Sequence, residues 1–301
     1  QVTLGCNKFC EACSKYFDCA SPQKYKMYDS PALRVIEQRM KGVKHKIAVM
    51  SGKGGVGKST VTANLGMAFH LMGATVGLLD SDFYGPSIPT IMGVRAERLL
   101  SGDDGIVPVN TSHGIKVASV GSTLGDTDSV TWLGDQMRWG LYQFLGGTYW
   151  GELDVLLIDL PPGTGEETLN VMKTIRGLAG AVVVTIPSEV SQIVVGRGIA
   201  LCQKANTKIL GVIENMGSMA CPSCNAQIDV FMAGGGRLVA EKMGVPFLGT
   251  IPLDKRVSEA SDTGEPFVFR YPDSPASKVF MEMTANIARE ISLQVQKREE
   301  P

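Results

Sequence analysis

Long apolar runs are missing from this 301-residue chain. No stretch approaches the ~20 residues needed to cross a bilayer, so no membrane role is expected. No basic-then-apolar leader opens the sequence at Gln1, and the reading is of a protein that works in the cytoplasm. Charge of one sign is also lacking: 29 Lys and Arg stand against 30 Asp and Glu, a net charge of -1. Such a balance offers nucleic acid no electrostatic footprint. Repeats and low-complexity tracts are absent. Histidine is scarce, and His45, His70 and His113 each lack a metal-ligating neighbour in the sequence. The seven cysteines are an odd number, which argues against a disulfide framework. Clustered cysteines without an export signal point to metal or redox work in a reducing compartment.

What is present is a core. Apolar residues make up 44% and charged residues 20%, enough for one large α/β domain or two small ones. From Lys46 onward, apolar runs at 47–50, 75–79, 155–158, 181–186, 209–213 and 247–251 alternate with helical stretches. Continuous apolar strands separated by crossovers predict a mainly parallel, doubly wound sheet with helices on both faces. Apolar residues at helical spacing from Val279 to Val295 predict a terminal helix over 274–297. Residues 1–44 differ from the rest. They hold Cys6, Cys10, Cys13 and Cys19, then a polar connector with Pro22 and Pro31. This stretch reads as a cysteine-rich extension ordered by whatever its thiols hold, ahead of one domain over 45–301.

Gly52-Lys53-Gly54-Gly55-Val56-Gly57-Lys58-Ser59 fits G-x-x-x-x-G-K-[ST] between an apolar strand and a helical stretch over 60–72. That context turns the pattern into a phosphate-binding loop. Its glycines let backbone N–H groups curl around phosphate oxygens at a helix N-terminus, up to Thr60. Lys58 is expected on the β- and γ-phosphates and Ser59 on Mg²⁺. The run 155–158 ends in Asp159, a Walker B carboxylate for the same ion, and Gly163 in the following Pro-Pro-Gly-Thr-Gly is placed to meet the γ-phosphate. Asp80 and Asp82 end another run, Asp82 as the group that positions the attacking water and Asp80 as its supporting partner. Lys53 is the second lysine of a deviant Walker A loop and is expected to reach a partner's phosphates as an arginine finger does. Asn215, after a further strand, is placed to read adenine.

The remaining cysteines form two groups. Cys221 and Cys224, in C-P-x-C, can supply two ligands to a metal centre, and a two-fold dimer would complete the set. A redox pair and a zinc site use the same spacing. Cys6, Cys10, Cys13 and Cys19 can hold one [4Fe–4S] cube, although a Cys₄ zinc site fits them too, and Cys-x₃-Cys-x₂-Cys also marks radical S-adenosylmethionine enzymes. No succession of eight βα units follows to support that last reading. Cys202 reads as a small core residue.

With SGKGGVGKST at 51–60, LLDSDFYGPS at 78–87, DLPPGTG at 159–165, GVIENMGSMACPSC at 211–224 and LGTIPLD at 248–254, the chain resembles the Mrp/ApbC family of iron–sulfur carrier ATPases. Within it, the chain is similar to the branch with an N-terminal ferredoxin-like cysteine motif, related to cytosolic nucleotide-binding scaffold proteins. The resemblance implies a MinD-like P-loop ATPase, slow and switch-like, with Pro252 among its nucleotide contacts. It also implies a homodimer holding a [4Fe–4S] cluster between two C-P-x-C loops, loaded by cluster donors and passed to apo-proteins. A second cluster would sit on the N-terminal cysteines. The chain departs from the family at Glu166 and Val194, where aspartates are usual. Two rivals share the loop: a MinD/ParA positioning ATPase, and an electron donor like the nitrogenase iron protein. The first needs a basic surface or tail that the ending Lys297-Arg298-Glu299-Glu300 does not supply.

Overall fold

A computed structural model describes residues 10–13, 15–83, 85–102, 105–123, 135–220, 224, 226–228 and 234–294. Its centre is strand β1 (Val43–Ser51), whose Ile47, Ala48, Val49 and Met50 are buried on both faces. The other strands of the main sheet are β2 (Val76–Asp80), β3 (Val109–Asn110), β4 (Lys116–Ser119), β5 (Leu153–Asp159), β6 (Leu178–Thr185), β7 (Ile209–Glu214) and β8 (Phe247–Thr250). They lie in the order β8-β7-β6-β1-β5-β2-β4-β3. All neighbours pair in parallel except β3 with β4. This is the doubly wound architecture expected from the alternating runs.

Alternate side chains feed two apolar layers, because successive strand residues point to opposite faces. Ile47 and Val49 join one layer with helix α2 (Lys58–Leu71) and helix α8 (Pro275–Glu290). Ala48 and Met50 join the other. That second layer is covered by α1 (Pro31–Arg39), α3 (Asp135–Gly147), α4 (Glu166–Thr174), α5 (Glu189–Lys204) and α6 (Gly235–Met243). Helix α7 (Lys255–Thr263) and a short turn at Phe267–Arg270 complete the α2 side.

The terminal helix is shorter than its apolar period suggests. Ser274 caps its start by accepting from the Ser277 N–H at 3.1 Å, with Pro275 in the first turn. It buries Phe280, Met283 and Ile287, worth about 1.5–3 kcal/mol each. The helix ends at Glu290 rather than 297. Ser292 takes a left-handed φ of 56°, and the Leu293 N–H closes back on the Ala288 carbonyl at 2.9 Å.

The N-terminal stretch shares the domain's core. Tyr16, Met27, Leu33 and Ile36 are buried in the layer formed by α3, α4 and α5. β1 begins at Val43, so a division at 44/45 cuts into it. No described helix is long and apolar enough to cross a membrane.

Candidate functional site

The parallel strands share one carboxyl edge, where open α/β sheets bind ligands. There β1 gives way to the loop 52–57 and then to α2. Gly55 and Gly57 take φ of 77° and 78°, which favour glycine. An added Cβ at Gly57 would also collide with the Asn215 amide. Gly52 lies against Val194, so a side chain there would strike its Cγ1 at 2.8 Å.

Asp159, fully buried at the end of β5, gathers three donors. Lys58 Nζ lies 2.6 Å from its Oδ2, Ser59 Oγ donates to the same oxygen at 2.6 Å, and Thr62 Oγ1 donates to Oδ1 at 2.7 Å. A carboxylate beside a serine hydroxyl is a hard-oxygen donor set suited to Mg²⁺. Thr62 is a site residue that the motif reading missed. The available signal was its position three residues after Ser59, on the same helix face.

Asp80 pairs in register with Asp159 across β2 and β5. Its Oδ1 accepts the Asp82 N–H at 3.1 Å, and its Oδ2 accepts those of Ser87 and Ile88 at 3.0 and 3.1 Å. Burial, followed by the nearby Asp159 charge, raises its pKa above the usual carboxylate range, with the N–H bonds opposing. Asp80 therefore shapes the loop that presents Asp82. Asp82 lines an open, solvent-connected cleft with Lys53, Lys58, Ser59, Thr60 and Pro162. Gly54 to Gly57 also line it; Gly52, Gly163, Asn215 and Pro252 stand outside its lining. Gly163, at φ 91°, donates its N–H to the Ser51 carbonyl at 2.9 Å.

Asn215 joins the loop to the cysteine region. Its Nδ2 donates to the Val56 carbonyl at 2.9 Å, and its own N–H bonds the Thr185 carbonyl at 2.7 Å. Beyond it, Met219–Ala220 pairs antiparallel with Gln227–Ile228, and C-P-x-C falls between these two strands. Cys224 is exposed; Cys221 lies outside the described residues. Pro252 belongs to the neighbouring loop, where the Gly217 N–H bonds the Ile251 carbonyl at 2.9 Å and the Leu253 N–H the Ser218 carbonyl at 3.3 Å. The excursion returns through α6, whose Gly236 N–H donates to Glu214 Oε2 at 2.6 Å.

Cys10, Cys13 and Cys19 are half-buried and form no disulfide, and Cys6 lies outside the described residues. Among the described residues, no three His, Cys, Asp or Glu side chains gather into a metal-binding group. The segment is nonetheless held. Lys173, on α4, donates to the carbonyls of Glu11 at 3.0 Å and Cys13 at 3.5 Å, and Lys24 donates to that of Cys19 at 2.8 Å. Cys202, as expected, is a core residue, its thiol pushed up to about 12 by burial.

A family profile described as ParA: NUBPL iron-transfer P-loop NTPase matches residues 42–288. The chain is 48% identical over 255 residues to an iron-sulfur cluster carrier protein of Saccharolobus solfataricus, covering 84% of this chain and 86% of that one. It is 43% identical over 287 residues to the protein of the same name from Methanocaldococcus jannaschii, covering 95% and 97%. A solved nucleotide-binding protein from Archaeoglobus fulgidus, in complex with ADP, superposes with a TM-score of 0.68 at 40% identity, over 79% of this chain and 96% of that one. The cell division ATPase MinD of Pyrococcus furiosus shares the fold alone, with a TM-score of 0.60 at 24% identity over 81% and 98%. The profile spans most of the chain and holds the phosphate loop, Asp159 and Asn215, and on that ground the chain belongs to the NUBPL iron-transfer P-loop NTPase family.

Proposed function

We propose that this protein is an ATP-dependent carrier that holds a [4Fe–4S] cluster between the C-P-x-C pairs of two copies and passes it to apo-proteins. The observation that carries this reading is the Asn215 tie, because one residue bonds the phosphate loop and starts the excursion bearing Cys221 and Cys224. A nucleotide that moves the loop then acts on the cysteines through a short chain of bonds. The names of its relatives in Saccharolobus solfataricus and Methanocaldococcus jannaschii support the cargo.

In this reading the loop N–H groups and Lys58 hold the phosphates, and Ser59 and Asp159 hold Mg²⁺. Asp82 positions the attacking water. Gly163 exchanges the Ser51 carbonyl for the γ-phosphate, which makes hydrolysis a switch rather than a metabolic step. Asn215 reads adenine with the rest of its amide, and Pro252 is a further nucleotide contact. Lys53, half-buried in the cleft lining, acts across a homodimer on the partner's phosphates. Cys6, Cys10, Cys13 and Cys19 hold a second cluster, and cytoplasmic cluster donors load the carrier.

Transfer to an apo-acceptor tests the coupling. Lys58→Ala protein loaded anaerobically with cluster should fail to transfer it in response to ATP. Wild-type rates from that variant would remove ATP from the mechanism.

A further inference from the structure

Helix α4 is held by different parts of the molecule at its two ends. At its start, Thr168 Oγ1 donates to the Gly163 carbonyl at 3.1 Å and lies 3.3 Å from that of Pro161, so the first turn grips the loop after Asp159. At its end, Lys173 is only 4% exposed, yet it directs its ammonium to the backbone of the cysteine segment. Tyr28 Oη donates to the Lys173 carbonyl at 2.7 Å, and the Arg176 guanidinium stacks on the Tyr28 ring at 4.7 Å. Tyr16 Oη reaches Tyr28 Oη at 3.4 Å. Nine helical residues span about 13 Å as one stiff rod.

Burying an ammonium is costly unless its donors are met, and packing alone would be served better by methionine. Here two of its three donors are met by the carbonyls of Glu11 and Cys13, within the span that carries Cys10 and Cys13. We infer that Lys173 is a positioning residue that couples the N-terminal cysteine segment to the nucleotide, with α4 as the strut between them. The inference rests on the proposed meeting of the 161–165 loop with the terminal phosphate. A shift of that loop carries α4, and α4 carries the backbone on which Cys10 and Cys13 are mounted.

The test uses the full chain, reduced and metal-free, with N-ethylmaleimide alkylation followed at each cysteine by mass spectrometry. Rates are compared with and without saturating Mg·ATPγS, and nucleotide binding is measured on the same samples. In wild type, the rates at Cys10 and Cys13 should change about fivefold or more on binding, the range of ordinary coupling between sites. Lys173→Met should keep nucleotide binding and lose the difference between the two states, whereas a merely structural role would shift both rates together. Tyr28→Phe keeps the ammonium and deletes the hydroxyl that bonds the helix end and meets Tyr16 Oη, so it should lower the ratio as well and decides the matter if the methionine variant does not fold. Equal wild-type rates with nucleotide bound, or a wild-type ratio in the variants, would overturn the coupling and leave the carrier reading standing. Failure of wild type to bind Mg·ATPγS would sink that reading and the coupling with it.

Discussion

Lys53 and Lys58 are five residues apart in one loop, yet their surroundings differ. Lys58 is 6% exposed and paired with Asp159, whereas Lys53 is half-buried in the lining of the same cleft. Their substitutions should separate accordingly. Lys58→Ala should abolish ATP binding by equilibrium titration. Lys53→Ala should bind ATP but hydrolyse it on the order of 10³-fold more slowly, as loss of an arginine finger does. Normal turnover by a monomeric Lys53→Ala protein would dismiss its action across a dimer. Thr62→Val removes one donor from a fully buried carboxylate and should cost about 1–3 kcal/mol in denaturant unfolding; an unchanged midpoint would show that Asp159 does not need it. The motif spacing made Ser59 and Asp159 legible as partners, because their chemistry requires a fixed offset and a strand end. Thr62 was legible only as a neighbour of Ser59 on one helix face, and Lys173 not at all: each owes its role to a contact about a hundred residues or more away in the chain.

Six strands were readable because buried parallel strands are continuous apolar runs, as in Val155-Leu156-Leu157-Ile158. β3 and β4 are two and four residues long and carry Asn110, Lys116 and Ser119, so their apolar pattern is too brief to register. The terminal helix was overread because Ile291 and Val295 prolong the period beyond the left-handed turn at Ser292. Between elements, Asp154 at the start of β5 accepts from the Thr75 N–H and Oγ1 and from Lys44, each at 2.8 Å. Burial pushes this carboxyl up, but the Lys44 and Thr75 donors pull it further down, and its pKa falls below the usual value. A depressed folded pKa stabilises the fold above the ordinary carboxylate range, and that stability is lost as pH falls through the folded value. Asp154→Asn should therefore unfold at lower denaturant than wild type at neutral pH, with the gap closing in acid. A gap that stays constant with pH would refute this account of β2–β5 docking.

At the scale of the whole molecule, the nucleotide edge, the paired strands that flank C-P-x-C in the sequence and the N-terminal cysteine segment hang from one sheet. Asn215 links the first two, and α4 links the first to the third. Two cysteines per copy cannot complete a cubane, so the carrier reading requires self-association. Iron and acid-labile sulfide, measured on anaerobically reconstituted wild type beside the Cys221→Ala/Cys224→Ala double variant with oligomer mass taken on the same samples, test this most directly. The account predicts that a wild-type dimer holds about four more iron and four more sulfide than the variant. Equal iron in the two proteins, zinc without labile sulfide, or a wild type that stays monomeric when loaded would contradict it.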